Sequence, residues 1–547
     1  MPASYKETMN LPETLFPMKA NLPENEPKRL EVWNQTDIYR RVLEKNKDGK
    51  PFVLHDGPPY ANGPIHIGHA FNKILKDFVI KSHAQRGYFT PYIPGWDCHG
   101  QPIEHIVEEN LRKEGKYEQT TQPEMRRLCR QWAEKYVDIQ RQGFMRLGVN
   151  ADWHHPYLTF VPNFEAGNVE IFKEMYLKGS VYRGRKPIHW CKNCHTALAE
   201  AEIEYGDEVS PSVYVKFKLI DIPQKFADAG VKDNAYVLIW TTTPWTLPAN
   251  TAVCLAPDAK YAMVKVGDSY LLFAHDLVES IAKTAKWQSY EFVKDKSGNT
   301  VVCDGKELCG ITYICPTKTE RTGMLIYGDH VTLDTGTGCV HTAPGHGQED
   351  YLVGLQFKIP LLMPVDDNGC FTEEAGPFAG LDTDAANPVI IKWLQEQGTL
   401  VAREDINHSY PHCWRCHKPV IFRATDQWFV SMEENDLRTK ALDAIDNHVQ
   451  WIPSWAKNRI GSMVADRPDW CISRQRSWGV PIPVFKCAKC GETVANEATF
   501  DAVIKLFYED GADAWFTKQP SEYLPKGTCC PSCGCTDVLP EKDILDV

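Results

Sequence analysis

A short apolar run, Pro51-Phe52-Val53-Leu54, passes into a loop dense in glycine, proline and asparagine, His55-Asp56-Gly57-Pro58-Pro59-Tyr60-Ala61-Asn62-Gly63-Pro64. Apolar residues then recur at helical spacing from Ile67 through Phe71, Ile74, Leu75, Phe78 and Val79, and Gly87 is placed to stop the helix. A second run, Tyr88 to Pro94, reads as another strand and leads into the loop Gly95-Trp96-Asp97-Cys98-His99-Gly100. Strand, loop, helix, strand, loop is an α/β pattern, half of a doubly wound nucleotide-binding fold. It places both loops at strand C-terminal ends, where ligands sit.

The helix opens on His66-Ile67-Gly68-His69. A helix N-terminus offers free N–H groups and a partial positive charge, which attract phosphate. Gly68 lets a ligand approach the backbone, and His66 and His69, three apart, share one face of the first turn. Both rings can donate hydrogen bonds to a triphosphate. On the residues alone, capping and packing compete with that reading.

At 547 residues the chain is expected to hold two to four domains. Its net charge of −12 excludes a generically basic nucleic-acid coat, so any RNA contact must come from local patches. The first residues carry no apolar signal core, and no run approaches membrane-spanning length. Nineteen cysteines, an odd number with several CxxC pairs, favour reduced thiols and zinc in a cytoplasmic protein.

Cys191 and Cys194 form one such pair, and Cys413 and Cys416 form another far downstream. Four soft thiolates suit a closed tetrahedral zinc site, which would staple the two points where the long intervening segment leaves and rejoins the core. His195, His412 and His417 are alternative ligands. Cys487 and Cys490 with Cys530 and Cys533, each pair followed by glycine, read as a zinc ribbon, with Cys529 and Cys535 as possible replacements. Two zinc ions are therefore expected.

Between the first two knuckles the texture changes to strand-like runs such as Ser212–Lys218 and Tyr236–Trp240, broken by Gly/Pro/Asp turns. The expected division is an N-terminal extension over 1–50, with Leu11–Thr14 an extended approach, and a first core half over 51–204. A β-rich insert over 205–400, a return to the core over 401–485, a zinc ribbon over 486–536 and the start of a second core half over 537–547 follow. Scaffold helices are expected between residues 104 and 180. Two stretches of the insert stand out: Thr241-Thr242-Thr243-Pro244-Trp245-Thr246-Leu247-Pro248-Ala249-Asn250, and the glycine-rich run from Gly336 through His341 to Asp350. Taken bare, they are a hydroxyl-rich strand end and a loop. Trp470–Gly479 is basic and aromatic; it is either a solvated loop or one whose Arg474 and Arg476 meet phosphates or close over the active site.

His66-Ile67-Gly68-His69 resembles the HIGH signature of class I aminoacyl-tRNA synthetases. Its flanks, His55–Gly63 and Gly95-Trp96-Asp97-Cys98-His99-Gly100-Gln101-Pro102-Ile103-Glu104, resemble the isoleucyl-tRNA synthetases within that class, although Gln101 stands where those enzymes usually carry leucine. The resemblance runs from about Leu11 to the last residue. It implies a class I Rossmann-type core carrying a large inserted, β-rich editing domain of the CP1 kind. It also implies ATP-dependent activation of L-isoleucine, with Mg2+ accompanying ATP, and transfer to tRNA(Ile) by a monomer. His66 and His69 would meet the phosphates, and Asp97 the isoleucine amino group. Pro58 with Gly57, Asn62 and Gly68 would line the adenylate and side-chain pocket.

In the insert, Thr241, Thr242, Thr243 and His341 would shape a hydrolytic pocket and position a water, while Asp350 would hold the α-amino group of a misattached amino acid. Such a pocket has a physical rationale. One missing methylene in an apolar site is worth about 1–3 kcal/mol, a limit for which isoleucine enzymes are the standing illustration. No segment like the family's KMSKS loop is present, so the sequence reads as an amino-terminal portion. Two rivals remain: a small-molecule nucleotidyltransferase sharing the HxGH helix, and a zinc-ribbon RNA-binding module, which the acidic charge disfavours.

Overall fold

The computed structural model describes residues 8–10, 14–16, 19–317 and 320–546; Leu11–Glu13 of the expected N-terminal approach, and Val547, lie outside them. The chain gathers into two compact units. One holds the described residues up to Ile171 together with Ser477–Glu541, and the other Phe172–Arg476 with Lys542–Asp546.

In the first unit, helices α1 (Leu22–Gln35) and α2 (Ile38–Lys45) bury no residue. Helix α3 (Ile67–Gln85) carries the two histidines at its start, and Gly87, at φ +86°, turns the chain just after it. Helices α4 (Gln101–Lys113) and α5 (Gln122–Arg146) follow, and α6 (Pro162–Leu177) begins in this unit, its residues from Phe172 on counting with the second. The stripe Met125, Cys129, Ala133, Val137 and Phe144 of α5 packs in one core with Ile103, Val107 and Leu111 of α4. Strand β1 (Gly95–Trp96) lies parallel to β2 (Tyr157–Leu158). A Cβ at Gly95 would fall 2.0 Å from the Tyr157 ring, so the register admits only glycine.

The expected strand over Pro51–Leu54 is not formed. A single parallel bridge, Pro51 to Phe89, stands in its place, and the Val53 side chain is exposed. The expected strand over Tyr88–Pro94 likewise shrinks to that bridge, because Pro91 and Pro94 have no N–H to give a ladder. Regular pairing begins only at Gly95. Nor is the apolar stripe of α3 a core face: Ile67 is 86% exposed, Phe71 66% and Phe78 62%. The side of α3 that is buried carries Lys73, Asp77 and Ile80.

The second unit is built on a mixed sheet, eleven-stranded among the described residues. Strand β3 (Val181–Cys191) pairs outside it with β8 (Ile421–Val430). Within it, β4 (Ile203–Lys218) runs antiparallel both to β7 (Leu400–Cys413) and to β5 (Ala235–Thr241). Strand β6 (Cys339–Thr342) lies between β5 and Ala252–Leu255. The β-branched and aromatic residues of these strands fill a core in which Val237, Leu238, Ile239, Val253, Leu272 and Phe217 are fully buried. No described helix is long and apolar enough to cross a membrane.

Candidate functional site

The loop after Asp56 and the loop bearing Asp97 meet backbone to backbone. The Asp97 N–H donates to Pro59 O at 3.0 Å, and the Ala61 N–H donates to Asp97 O at 2.9 Å. This pairing sets Asp97 beside the segment of Gly57, Pro58 and Asn62. Burial pushes the Asp97 carboxyl up to about 6, although N–H groups of His99 and Cys98 work against the rise. Asn62 is fixed by the Trp132 indole, which donates to its Oδ1 at 2.8 Å.

At the start of α3, Nδ1 of His66 accepts from the Gly68 N–H at 3.1 Å, and Nδ1 of His69 accepts from the His66 N–H at 3.3 Å. With both Nδ1 atoms accepting, each neutral ring carries its proton on Nε2, leaving that N–H as the donor not used by the cap. The ring centroids are 4.0 Å apart. Burial, then the nearby His66 and Lys73, hold the His69 pKa below its ordinary value. A Cβ on Gly68 would meet the His66 ring at 2.9 Å, so glycine is what permits this cap.

Several supporting residues carried no assignment from sequence. Buried Asp56 pairs with Lys73 and Lys76 of α3 and accepts from the Tyr92 hydroxyl at 2.7 Å, tying the loop to the histidine helix. Gln140 of α5, 1% exposed, donates to Tyr60 O and Gly63 O at 2.9 and 2.8 Å and accepts from the Trp96 indole at 3.0 Å. Glu104 accepts from the N–H groups of Ser477 and Trp478 at 3.0 and 2.9 Å. Arg126, fully buried, donates to Ser477 O and Gly479 O at 2.6 and 2.8 Å. A buried glutamine or arginine among apolar helix positions is the sequence signal for such braces, but its partner lies too far along the chain to be read.

In the second unit, Thr241 ends β5, and Thr242 and Thr243 lead into a 3₁₀ turn over Pro244–Ala249. His341 sits on β6, 7% exposed, with both ring nitrogens occupied. The Asn250 amide donates to Nδ1 at 2.8 Å, so the ring N–H lies on Nε2 and donates to Thr246 Oγ1 at 3.0 Å. The Thr246 hydroxyl in turn donates to Thr243 O at 2.8 Å. The orientation of Asn250 follows from its other contacts, since Nδ2 also donates to Ala252 O and the Tyr313 hydroxyl donates to Oδ1. Burial and the nearby His346 hold His341 down at about 3. This histidine joins two sequence-distant walls and has no nitrogen left to take a proton.

Asp350 stands in the first turn of α7 (Gln348–Gln356) and accepts from the Ala343 N–H at 2.8 Å. Burial raises its carboxyl to about 6. A cavity of about 340 Å³ opens on Thr242 and Thr243, with Trp245, Asn387, Ser210 and Tyr410 among its walls. His346, a further member of the glycine-rich run, packs edge-on to Trp245 at 4.9 Å.

The cysteines come together as paired in the sequence. Cys191, Cys194, Cys413 and Cys416 form one cluster, and Cys487, Cys490, Cys530 and Cys533 another, with all Sγ atoms in each within 4.8 Å of one another. Zinc–sulfur bonds of about 2.3 Å separate tetrahedral sulfurs by about 3.8 Å, so both donor sets could hold zinc. Two of the three alternative histidines are engaged elsewhere: His412 Nδ1 donates to Tyr410 O, and His417 lies against Glu204. Arg474 is no free phosphate ligand. It is 5% exposed and forms ion pairs with Glu202 and Asp546 at 2.9 and 2.8 Å.

The chain belongs to the class I tRNA synthetases (I, L, M and V), whose family pattern matches residues 28–547. Among its relatives, the isoleucine--tRNA ligase of Moorella thermoacetica is 51% identical over 543 residues, covering 99% of this chain and 57% of that protein. Those of Kosmotoga olearia and Thermotoga maritima are each 50% identical, again over 99% of this chain and 57% of theirs. The chain thus spans a little over half the length of these relatives.

Proposed function

We propose that this chain is a portion of an isoleucine--tRNA ligase that carries the first half of a Rossmann-type adenylate site and a hydrolytic editing pocket in its insert. The proposed insert is residues 205–400, flanked by core segments 51–204 and 401–485, with the ribbon at 486–536. The whole enzyme would act in two steps on ATP, L-isoleucine and tRNA(Ile). The isoleucine carboxylate attacks the α-phosphorus, pyrophosphate leaves, and the acyl group then passes from the adenylate to the terminal ribose.

Little covalent help is needed from side chains, because positioning and electrostatics carry phosphoryl and acyl transfer. The Nε2–H groups of His66 and His69 would donate to phosphate oxygens as charge builds. Asp97, once ionised, would hold the amino group of isoleucine, and Gly57, Pro58, Asn62 and Gly68 would line the adenylate. Mg2+ bound with ATP would offset phosphate charge. The two zinc sites are structural in this reading, each cluster closing on its own four thiolates.

The observation that carries the editing part is the Thr246–His341 hydrogen bond, which joins the threonine segment to the glycine-rich segment. Because both nitrogens of His341 are used, it shapes the pocket as a strut. Thr241, Thr242 and Thr243 offer hydroxyls toward the hydrolytic water, and Asp350 a carboxylate for the ammonium of valine, through a charge-assisted bond.

The test is deacylation of preformed valyl-tRNA(Ile) and isoleucyl-tRNA(Ile) by this chain, with isoleucine-dependent ATP–pyrophosphate exchange alongside. Selective loss of valine without exchange is expected. Equal hydrolysis of both, or of neither, would overturn the editing assignment.

A further inference from the structure

The first cysteine knuckle contains a lysine that metal coordination does not require. Lys192 follows Cys191, at the position that Ala488 fills in the second cluster, and it is only 8% exposed. Its stem lies against Gly369, where a Cβ would come within 2.6 Å of Lys192 Cδ. Its Nζ donates to both carboxylate oxygens of Asp382, at 2.8 and 2.9 Å, to Thr383 Oγ1 at 3.1 Å and to Asp384 Oδ2 at 2.7 Å. These residues form the N-terminus of helix α8 (Thr383–Glu396), which Asp382 caps by accepting from the Asp384 N–H.

A cation at a helix N-terminus opposes the helix dipole. The lysine is tolerated there because two carboxylates stand between, so stabilising α8 by its charge does not explain the placement. The next turn of the same helix face does, since Asn387 stands one turn beyond Asp384 and lines the same cavity. Asn387 Oδ1 accepts from the Trp245 N–H at 3.0 Å, in the turn that carries Thr246 and follows Thr243. Asn387 also lines the cavity on which Thr242 and Thr243 open. The contacts run without a break from the cysteine cluster through Lys192, Asp382, α8 and Asn387 to the threonine wall.

We infer that Lys192 is a positioning residue that transmits order at the Cys191–Cys194–Cys413–Cys416 cluster to the threonine wall of the insert. The functional half of this inference rests on the editing reading; the structural half does not. Lys192 touches no reacting atom and acts by fixing the axis of α8.

Hydrogen exchange at the Trp245 amide reads the link directly in the full chain. Lys192→Met should retain its zinc, yet raise that exchange at least about tenfold, while Lys192→Arg, which keeps charge and reach, restores protection. Asn387→Ala should raise it equally, and the double variant no further, as expected of two steps on one path. Removing the metal from the unaltered chain with a chelator should have the same effect.

In the deacylation of valyl-tRNA(Ile), Lys192→Met should lower kcat about tenfold with KM unchanged, the mark of a misplaced wall rather than a lost contact. Unchanged Trp245 exchange in Lys192→Met, or in the chelated chain, would overturn the inference. Absence of any deacylation by the unaltered chain would overturn the editing reading instead, with exchange still deciding the link.

Discussion

The threonine wall of the second unit follows a regular strand, β5, whereas the histidine helix of the first unit follows a glycine- and proline-rich loop, and the two are finished in different ways. Around the first, Phe217, Val237, Leu272 and Val253 are fully buried, and His341 has both nitrogens satisfied by Thr246 and Asn250 of the turn that follows β5. Around the second, the polar side of α3 is the buried one, with Lys73 and Lys76 closed on Asp56, while Ile67, Phe71 and Phe78 face water. One site is complete within its own fold; the other is complete only on its polar side. Burial of apolar area is what stabilises a fold, so the two regions should respond differently to the same kind of damage.

The largest effect is expected in the second unit. Phe217→Ala removes a fully buried ring and should cost about 3–5 kcal/mol, read as a fall in the denaturant midpoint of the unit that holds the sheet. A cost below about 1 kcal/mol would show a loosely packed core and erase the contrast. Close behind come the two half-buried aspartates, Asp350 and Asp97. Asp350→Ala should slow valyl-tRNA(Ile) hydrolysis by an amount worth about 2–5 kcal/mol, the usual cost of deleting one partner of a buried charged pair. Asp97→Ala should abolish isoleucine binding, measured by calorimetry, while leaving hydrolysis intact. Crossed effects, with each substitution damaging the other activity, would mean that the two regions are not functionally separate.

A smaller effect follows from acidity. Burial raises the Asp350 carboxyl to about 6, so below that pH it is neutral and cannot hold an ammonium group. The kcat/KM for deacylation should fall about tenfold per unit as pH drops below 6, and the limb should vanish in Asp350→Asn. The stability sign is opposite to that of an ion-paired carboxylate. A folded pKa above the unfolded one gives a contribution that is present at low pH and lost as pH rises through 6. Asp350→Asn should therefore gain stability over the unaltered chain at pH 8 and lose that gain near pH 4. A limb that persists in Asp350→Asn would assign it to another group.

The contrast between the regions also explains what the sequence revealed. The cysteine pairs were legible because four like ligands at CxxC spacing have few uses, and the eight named thiols do gather as two sets. The α3 helix was legible from its spacing and from Gly87. Its exposure was not, because periodicity reports an amphipathic element and says nothing about what covers it. Pro51–Leu54 failed as a strand for a related reason: its β character was composition, whereas a strand needs a neighbour, and only Phe89 bridges to it. The braces Gln140, Arg126 and Lys192 act over separations that no local pattern encodes. Arg474 shows the reverse error. A basic residue in an aromatic loop suggested an exposed phosphate ligand, but Glu202 and Asp546 close over it.

The smallest predicted effect tests the open side of the comparison. Phe71 is 66% exposed on the outer face of α3, beside Ile67, Leu75 and Phe78 in a shallow apolar groove. Only area removed from water contributes to stability, so Phe71→Ser should change the unfolding free energy by no more than about 0.5 kcal/mol. A patch of this kind also binds apolar dyes, so the same substitution should lower dye fluorescence of the native chain. A loss of about 2 kcal/mol or more would mean that the face is covered in solution. Sedimentation of the unaltered chain would then show whether a second copy covers it. In that case the histidine helix would be as closed as the threonine wall, and the difference between the two regions would lie in the source of the covering residues: the same unit for His341, another chain for α3.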